Sequence, residues 1–219
     1  MQPKLIVFDL DGTLIEFPRE YLFRETERIL LEFVHPPVCR TELERSFSAF
    51  DYFGFIDQAK RQIFSDFFEK AFDWDNFPAP SVLEEVSETL ARLQSAGFDL
   101  AIATSRYCSA EELREELSET GLLGYFSLLT TRERQEQHWT DKTSQLTRVL
   151  QSFGVEPSAA MMVGDIPSDI YSAKKVGIGT AVAVLSGGIS ETVLKLAEPD
   201  ILLTHMKELA GVLLGNFGR

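Results

Sequence analysis

The segment Leu5 to Leu14, LIVFDLDGTL, constrains the fold more than any other stretch of this chain. Four consecutive strongly apolar residues run into two carboxylates two residues apart, and then into a Gly-Thr turn. A short apolar run bounded by a turn signal reads as a buried strand. Strand side chains alternate faces with period two, so Asp9 and Asp11 are able to point the same way. The carboxyl ends of parallel strands are where open α/β sheets bind ligands, and two like charges placed there call for a cation. The alternative is a plain Asp11-Gly12 turn after an edge strand, since Asp-Gly is a common turn dipeptide. The rest of the chain decides against it.

With 219 residues, the chain is able to bury one sizeable core or to divide into one domain with a smaller insertion. Its 44% hydrophobic and 25% charged content are those of an ordinary soluble globular protein. The apolar runs fall far short of the roughly 20 residues of a spanning helix. The run before Asp9 is also shorter than the about 7 to 15 residues of a secretory apolar region. A cytoplasmic protein without membrane contact is expected. Cys39 and Cys108 show neither CxxC spacing nor a neighbouring histidine cluster, so both are expected to be ordinary buried or half-exposed thiols. A net charge of −13 argues against a nucleic-acid surface. It suits an anionic substrate only where a metal and a few placed cations reverse the local field.

Residues 17 to 77 contain no convincing strand. Pro18 suits a first helical turn, and Leu22, Thr26, Ile29, Leu30 and Phe33 follow helical spacing up to Pro36-Pro37. Thr41 with Glu44 forms a capping-box pattern for a second helix, and Ile56, Ala59, Ile63, Phe67 and Ala71 mark a third. Most of the 17 phenylalanines lie between Phe17 and Phe77, which predicts a small aromatic core for this helical unit. Pro78 and Pro80 mark a linker. From Ser81 the texture changes to alternating helix and strand, the signature of a parallel sheet with crossover helices. Ser81 and Glu84 give a capping-box pattern, and Leu83, Val86, Leu90 and Leu93 a buried stripe. Strands are expected at Asp99 to Ala103, Phe126 to Leu129, Ala160 to Val163, Thr180 to Leu185 and Ile201 to Leu203. Helices are expected from Ser109, from near Thr140 to Gly154, and from about Pro167 to Val176.

Four segments stand in a fixed order: VFDLDGT at Val7 to Thr13, IATS at Ile102 to Ser105, Lys142 at a helix start, and VGDIPSD at Val163 to Asp169. This order resembles the haloacid dehalogenase superfamily, mostly phosphatases, and within it the members with a helical cap inserted between the first two motifs. The resemblance covers essentially the whole chain. It implies an α/β fold, a Rossmann-like doubly wound parallel sheet built from residues 1–15 and 81–219, with an all-helical cap at residues 16–80. Ile15 to Pro18 and Pro78 to Ser81 are then the hinge candidates.

By the same resemblance, Asp9 is the nucleophile that forms an aspartyl-phosphate, dividing one difficult displacement into two easier ones. Asp11 is the acid and then the base. Thr104, Ser105 and Lys142 are expected to bind the substrate phosphate, with Thr104 and Lys142 supplying donors and positive charge. The implied cofactor is Mg2+, held by Asp9, the backbone carbonyl of Asp11 and Asp165, with Asp169 supporting the site. Family members often have proline after the lysine; here Thr143 and Ser144 follow Lys142. Gly12 and Gly164 are expected at close backbone approaches or unusual dihedrals. Arg106 lies near the expected phosphate site, where a contact and a structural role are both open; His138 and Trp139 sit in a polar loop just before Lys142, where lining the cleft and packing the loop are both open. The expected activity is hydrolysis of a small phosphorylated metabolite, phosphoglycolate first, by a monomer or homodimer. A sugar-phosphate mutase of the β-phosphoglucomutase kind and a non-enzymatic binding protein on the same fold are the competing readings.

Overall fold

The computed structural model describes residues 3–33, 38–73, 76–106, 108–132 and 140–215. The chain divides into two compact units, one formed by Met1–Glu16 with Pro80–Arg219 and the other by Phe17–Ala79.

The first unit is a six-stranded, fully parallel sheet in the order β3-β2-β1-β4-β5-β6. Its strands are β1 (Leu5–Phe8), β2 (Asp99–Ala103), β3 (Leu128–Thr130), β4 (Ala160–Gly164), β5 (Thr180–Val184) and β6 (Ile201–Leu203). All four residues of β1 are buried, with Phe8 in register with Ile102 on one side and Val163 on the other. Parallel neighbours need a long crossover between them, and helices supply it. Among the described residues these are α4 (Val86–Ser95), α5 (Ala110–Glu119), α6 (Thr143–Phe153), α7 (Pro167–Val176) and α8 (Glu191–Leu196), while α9 (Glu208–Gly215) follows the last strand. The strand order reverses at β1, so β1 and β4 are spatial neighbours with a crevice beyond their carboxyl ends.

The second unit holds α1 (Arg19–Phe33), α2 (Arg40–Ser48) and α3 (Arg61–Ala71). Its core is aromatic. The fully buried Phe64 ring packs against Phe33 at 4.9 Å and Phe53 at 5.1 Å. Phe47 gathers Phe17, Phe23 and Tyr52. Rings bury large areas and add edge-to-face attraction, which lets about 60 residues hold a core.

Several local expectations are corrected. The α2 helix starts at Arg40 behind Cys39, whose carbonyl accepts from the amides of Glu42 and Leu43, so Thr41 lies inside the helix and caps nothing. Ser81 does not cap α4. Its carbonyl accepts from Glu16 N at 2.7 Å, and Val82 bridges Ile15, which keeps this stretch extended; the helix opens only after Glu85, at φ 60°. In α3 the buried face is centred on Phe64, while Ile63 is 63% exposed, because the ring cluster rather than the aliphatic spacing sets the phase. The α6 helix begins at Thr143 rather than near Thr140, β3 begins two residues later than expected, and α8 and α9 had no counterpart in the sequence reading. Cys39 is exposed, and Cys108 is half-buried. The Ser109–Glu112 capping box forms in both directions. Pro36 and Pro37 lie outside the described residues.

Candidate active site

Three of the expected residues are carried past the sheet edge by their strands. Asp9 follows β1, its amide bonded to Val163 O at 2.8 Å; Asp165 follows β4; Thr104 follows β2, its amide bonded to Thr130 O at 3.0 Å. Asp169 stands in the first turn of α7, and Lys142 is the N-cap residue just before α6.

These positions converge. Oxygens of Asp9, Asp165 and Asp169 lie within 4.8 Å of one another, and all three residues are buried. The Lys142 side chain is fully buried, its Nζ 2.6 Å from Asp9 Oδ1 and hydrogen-bonded to Asp169 Oδ1. The Thr13 hydroxyl donates to Asp165 Oδ1 at 3.1 Å, and the Ile166 amide to Asp169 Oδ2 at 3.2 Å. Glycine is required around these acids. A β-carbon on Gly12, which has φ +77°, would lie 2.4 Å from Asp165 Oδ2; one on Gly164 would lie 2.1 Å from Asp169 Oδ2.

The charges do not balance. Burial works against the Lys142 ammonium, yet Asp169 and Asp9 hold it protonated, above its usual range. Burial raises the Asp169 carboxyl to about 6 against the opposing pull of Lys142, with Asp9 adding to the rise. Asp165 is pushed well above the ordinary carboxyl range by burial and by Asp9 and Asp169 beside it. Three buried carboxylates against one ammonium is the oxygen-donor set of a hard divalent cation, so these residues fit a metal such as the resemblance implies.

Asp11 is placed differently. Its two carboxylate oxygens accept from Nε and Nη2 of Arg106, each at 2.7 Å, and Arg106 Nη1 reaches Glu116 of α5 at 2.6 and 2.5 Å. The three side chains are part-buried, and the two carboxylates keep the guanidinium firmly protonated although burial opposes its charge. Arg106 is therefore the partner of Asp11. Its amide also donates to Thr104 Oγ1 at 3.2 Å. Thr104 is buried, and among the described residues the buried Ser105 Oγ has no hydrogen-bond partner, a hydroxyl that suits a polar ligand. His138 and Trp139 lie outside the described residues.

Five further contributors were not singled out in the sequence. Thr13 orients Asp165. Gly187 leaves room for Asp165, since a β-carbon there would lie 1.7 Å from Oδ2, and the Gly187-Gly188 pair after an apolar run was the available signal. Ser186 Oγ donates to Gly12 O at 2.5 Å, tying the same turn to the acid segment. Asp141 and Ser172 meet at the base of Lys142, where Lys142 N donates to Ser172 Oγ at 3.0 Å.

Fold and site together define an open α/β protein with a carboxylate-rich centre at its topological switch point. A family profile described as haloacid dehalogenase-like hydrolase matches residues 6–183. A pyrophosphatase, PpaX, from Oceanobacillus iheyensis is 26% identical over 231 residues, spanning 99% of this chain and 100% of the relative. A phosphoglycolate phosphatase from Aquifex aeolicus is 28% identical over 189 residues, spanning 83% of this chain and 84% of the relative. A solved haloacid dehalogenase-like family hydrolase from Streptococcus pneumoniae superposes with a TM-score of 0.74 at 18% identity, over 96% of this chain and 98% of its own; it shares the fold. The chain belongs to the haloacid dehalogenase-like hydrolases. It is an enzyme of the phosphatase kind within that family.

Proposed function

We propose that the chain is a Mg2+-dependent phosphomonoester hydrolase for a small phosphorylated metabolite, working through an aspartyl-phosphate on Asp9. The observation that carries this reading is the contact of one buried ammonium, Lys142, with both Asp9 and Asp169, beside the unbalanced Asp165. Asp9, Asp165 and Asp169, with the backbone carbonyl of Asp11, are the groups that would hold Mg2+; bound there, the ion supplies positive charge for phosphoryl oxygens. Lys142 aims the Asp9 carboxylate through its contact with Oδ1, and Thr104 and Ser105 supply donors to the phosphate. Asp9 attacks phosphorus, and the phosphorus–oxygen bond to the leaving group breaks. Asp11 gives that oxygen a proton, then takes one from the water that hydrolyses the acyl phosphate. A proton on one Asp11 oxygen displaces the Arg106 hydrogen bond to that oxygen, so one arm of the Asp11–Arg106 chelate has to open before Asp11 acts as acid. Residues 16–80 act as a cap hinged at Ile15 to Pro18 and Pro78 to Ser81.

Phosphoglycolate is the leading substrate, supported by the named phosphatase relative, and pyrophosphate belongs in the same panel. No helix among the described residues is long and apolar enough to cross a membrane, and we place the enzyme in the cytoplasm. The test is phosphate release from phosphoglycolate, pyrophosphate, sugar phosphates, nucleotides and an aryl phosphate, with Mg2+ or with chelator. Release should need Mg2+ and should fall by about 10⁴-fold or more in Asp9→Asn. Isomerisation of a sugar phosphate without release, or activity that survives the substitution, overturns the reading.

A further inference from the structure

Lys142 reaches both Asp9 and Asp169 from the end of a flexible stem, so where its backbone sits decides whether the ammonium spans the two acids. That backbone is held from α7. The Lys142 amide donates to the buried Ser172 hydroxyl at 3.0 Å, and Ser172 donates in turn to Asp141 Oδ1 at 3.4 Å. Asp169 and Ser172 are three residues apart on α7 and therefore share a face. Lys142 is thus attached to that face twice, by its side chain to Asp169 and by its main chain to Ser172. Asp141 gathers the remaining donors. Its Oδ1 accepts from Thr143 N at 2.8 Å and from the Thr143 hydroxyl, and its Oδ2 from Lys175 Nζ at 3.0 Å. Lys142, at the N-cap position of α6, makes no side-chain cap bond because its side chain is committed to the acids. The aspartate one residue earlier does the capping.

We propose that Asp141 and Ser172 are positioning residues for the reaction: they lock the start of α6 onto α7 so that Lys142 stays in register with Asp9 and Asp169. This rests on the role given to Lys142 above. Neither residue touches substrate. Their effect on the chemistry passes through the position of one ammonium, where small displacements are costly.

The test measures kcat and KM per folded molecule, with the folded fraction taken from near-UV circular dichroism and thermal unfolding. Asp141→Ala and Ser172→Ala are expected to lower kcat by about 10- to 100-fold with KM nearly unchanged. Asp141→Asn keeps an acceptor for Thr143 N and should recover most of the turnover lost in Asp141→Ala. Where Asp141→Ala does not accumulate as folded protein, Ser172→Ala carries the same test. Alanine variants whose activity falls only in proportion to the folded fraction overturn the proposal, as does an asparagine variant no better than alanine. Lys142→Ala, assayed alongside, separates the two readings. If it stays active, the role of Lys142 fails. If it is inactive while Asp141→Ala and Ser172→Ala are fully active, only the positioning inference fails.

Discussion

One ammonium between two carboxylates nearly satisfies Asp9 and Asp169, and it leaves Asp165 with the Thr13 hydroxyl. That residue-scale imbalance has a thermodynamic consequence. Asp165 and Asp169 have folded-state values above those of free carboxyls, Asp169 at about 6. The stability they contribute is complete below the unfolded value of about 4 and is lost as pH rises through the folded value. Metal-free enzyme therefore carries a burden at neutral pH that it does not carry in mild acid, and a bound divalent cation relieves it by taking the carboxylates unprotonated. Asp141, pulled down to about 2 despite partial burial by Thr143 and Lys175, is ionised throughout and contributes no slope in this range. Thermal unfolding at about pH 5 and about pH 7.5, with Mg2+ and with chelator, checks this. The rise in Tm on adding Mg2+ should be larger at the higher pH, and an increment independent of pH contradicts it.

At the scale of elements, the strand ends and helix starts were legible where the signal is local. LIVF followed by acid, DLAIA followed by Thr-Ser, and AMMVG followed by acid all became buried parallel strands ending at one edge, and Pro167 to Val176 became α7 with its expected limits. Ser109 and Glu112 cap α5 because both partners lie within three residues. The start of α4 has a different cause. At Ser81 the competing partner, Glu16, is 65 residues away in the chain, and no spacing rule reports it. At Gly187 the Gly-Gly pair signals a turn, but the tightness of that turn exists only against Asp165 and is illegible for the same reason. Gly187→Ala should push the Asp165 carboxylate aside and weaken Mg2+ activation by about 10- to 100-fold while the fold persists. A magnesium titration of activity measures it, and an unchanged midpoint would show that the turn does not shape the site.

At the scale of the whole molecule, the strand order β3-β2-β1-β4-β5-β6 brings together four segments spread along the chain from Val7 to Asp169. Motif order made Asp9, Lys142, Asp165 and Asp169 legible as one cluster, because those residue types have little reason to be buried except against each other. The pairing of Asp11 with Arg106 and Glu116 was not legible: Arg106 and Asp11 are 95 residues apart, and their meeting depends on β1 lying beside β2. The aromatic unit was foreseeable from its phenylalanines, but the phase of its packing was not, since Phe64 displaced Ile63 from the interior. The central claim is that this assembly makes Asp9 a nucleophile. The most direct measurement is an acid quench of the enzyme during turnover of a phosphomonoester labelled in its phosphoryl group, followed by peptide mapping. Label should appear on the peptide containing Asp9 and disappear in Asp9→Asn. Turnover with no label on that peptide, or with label on another residue, would contradict the account.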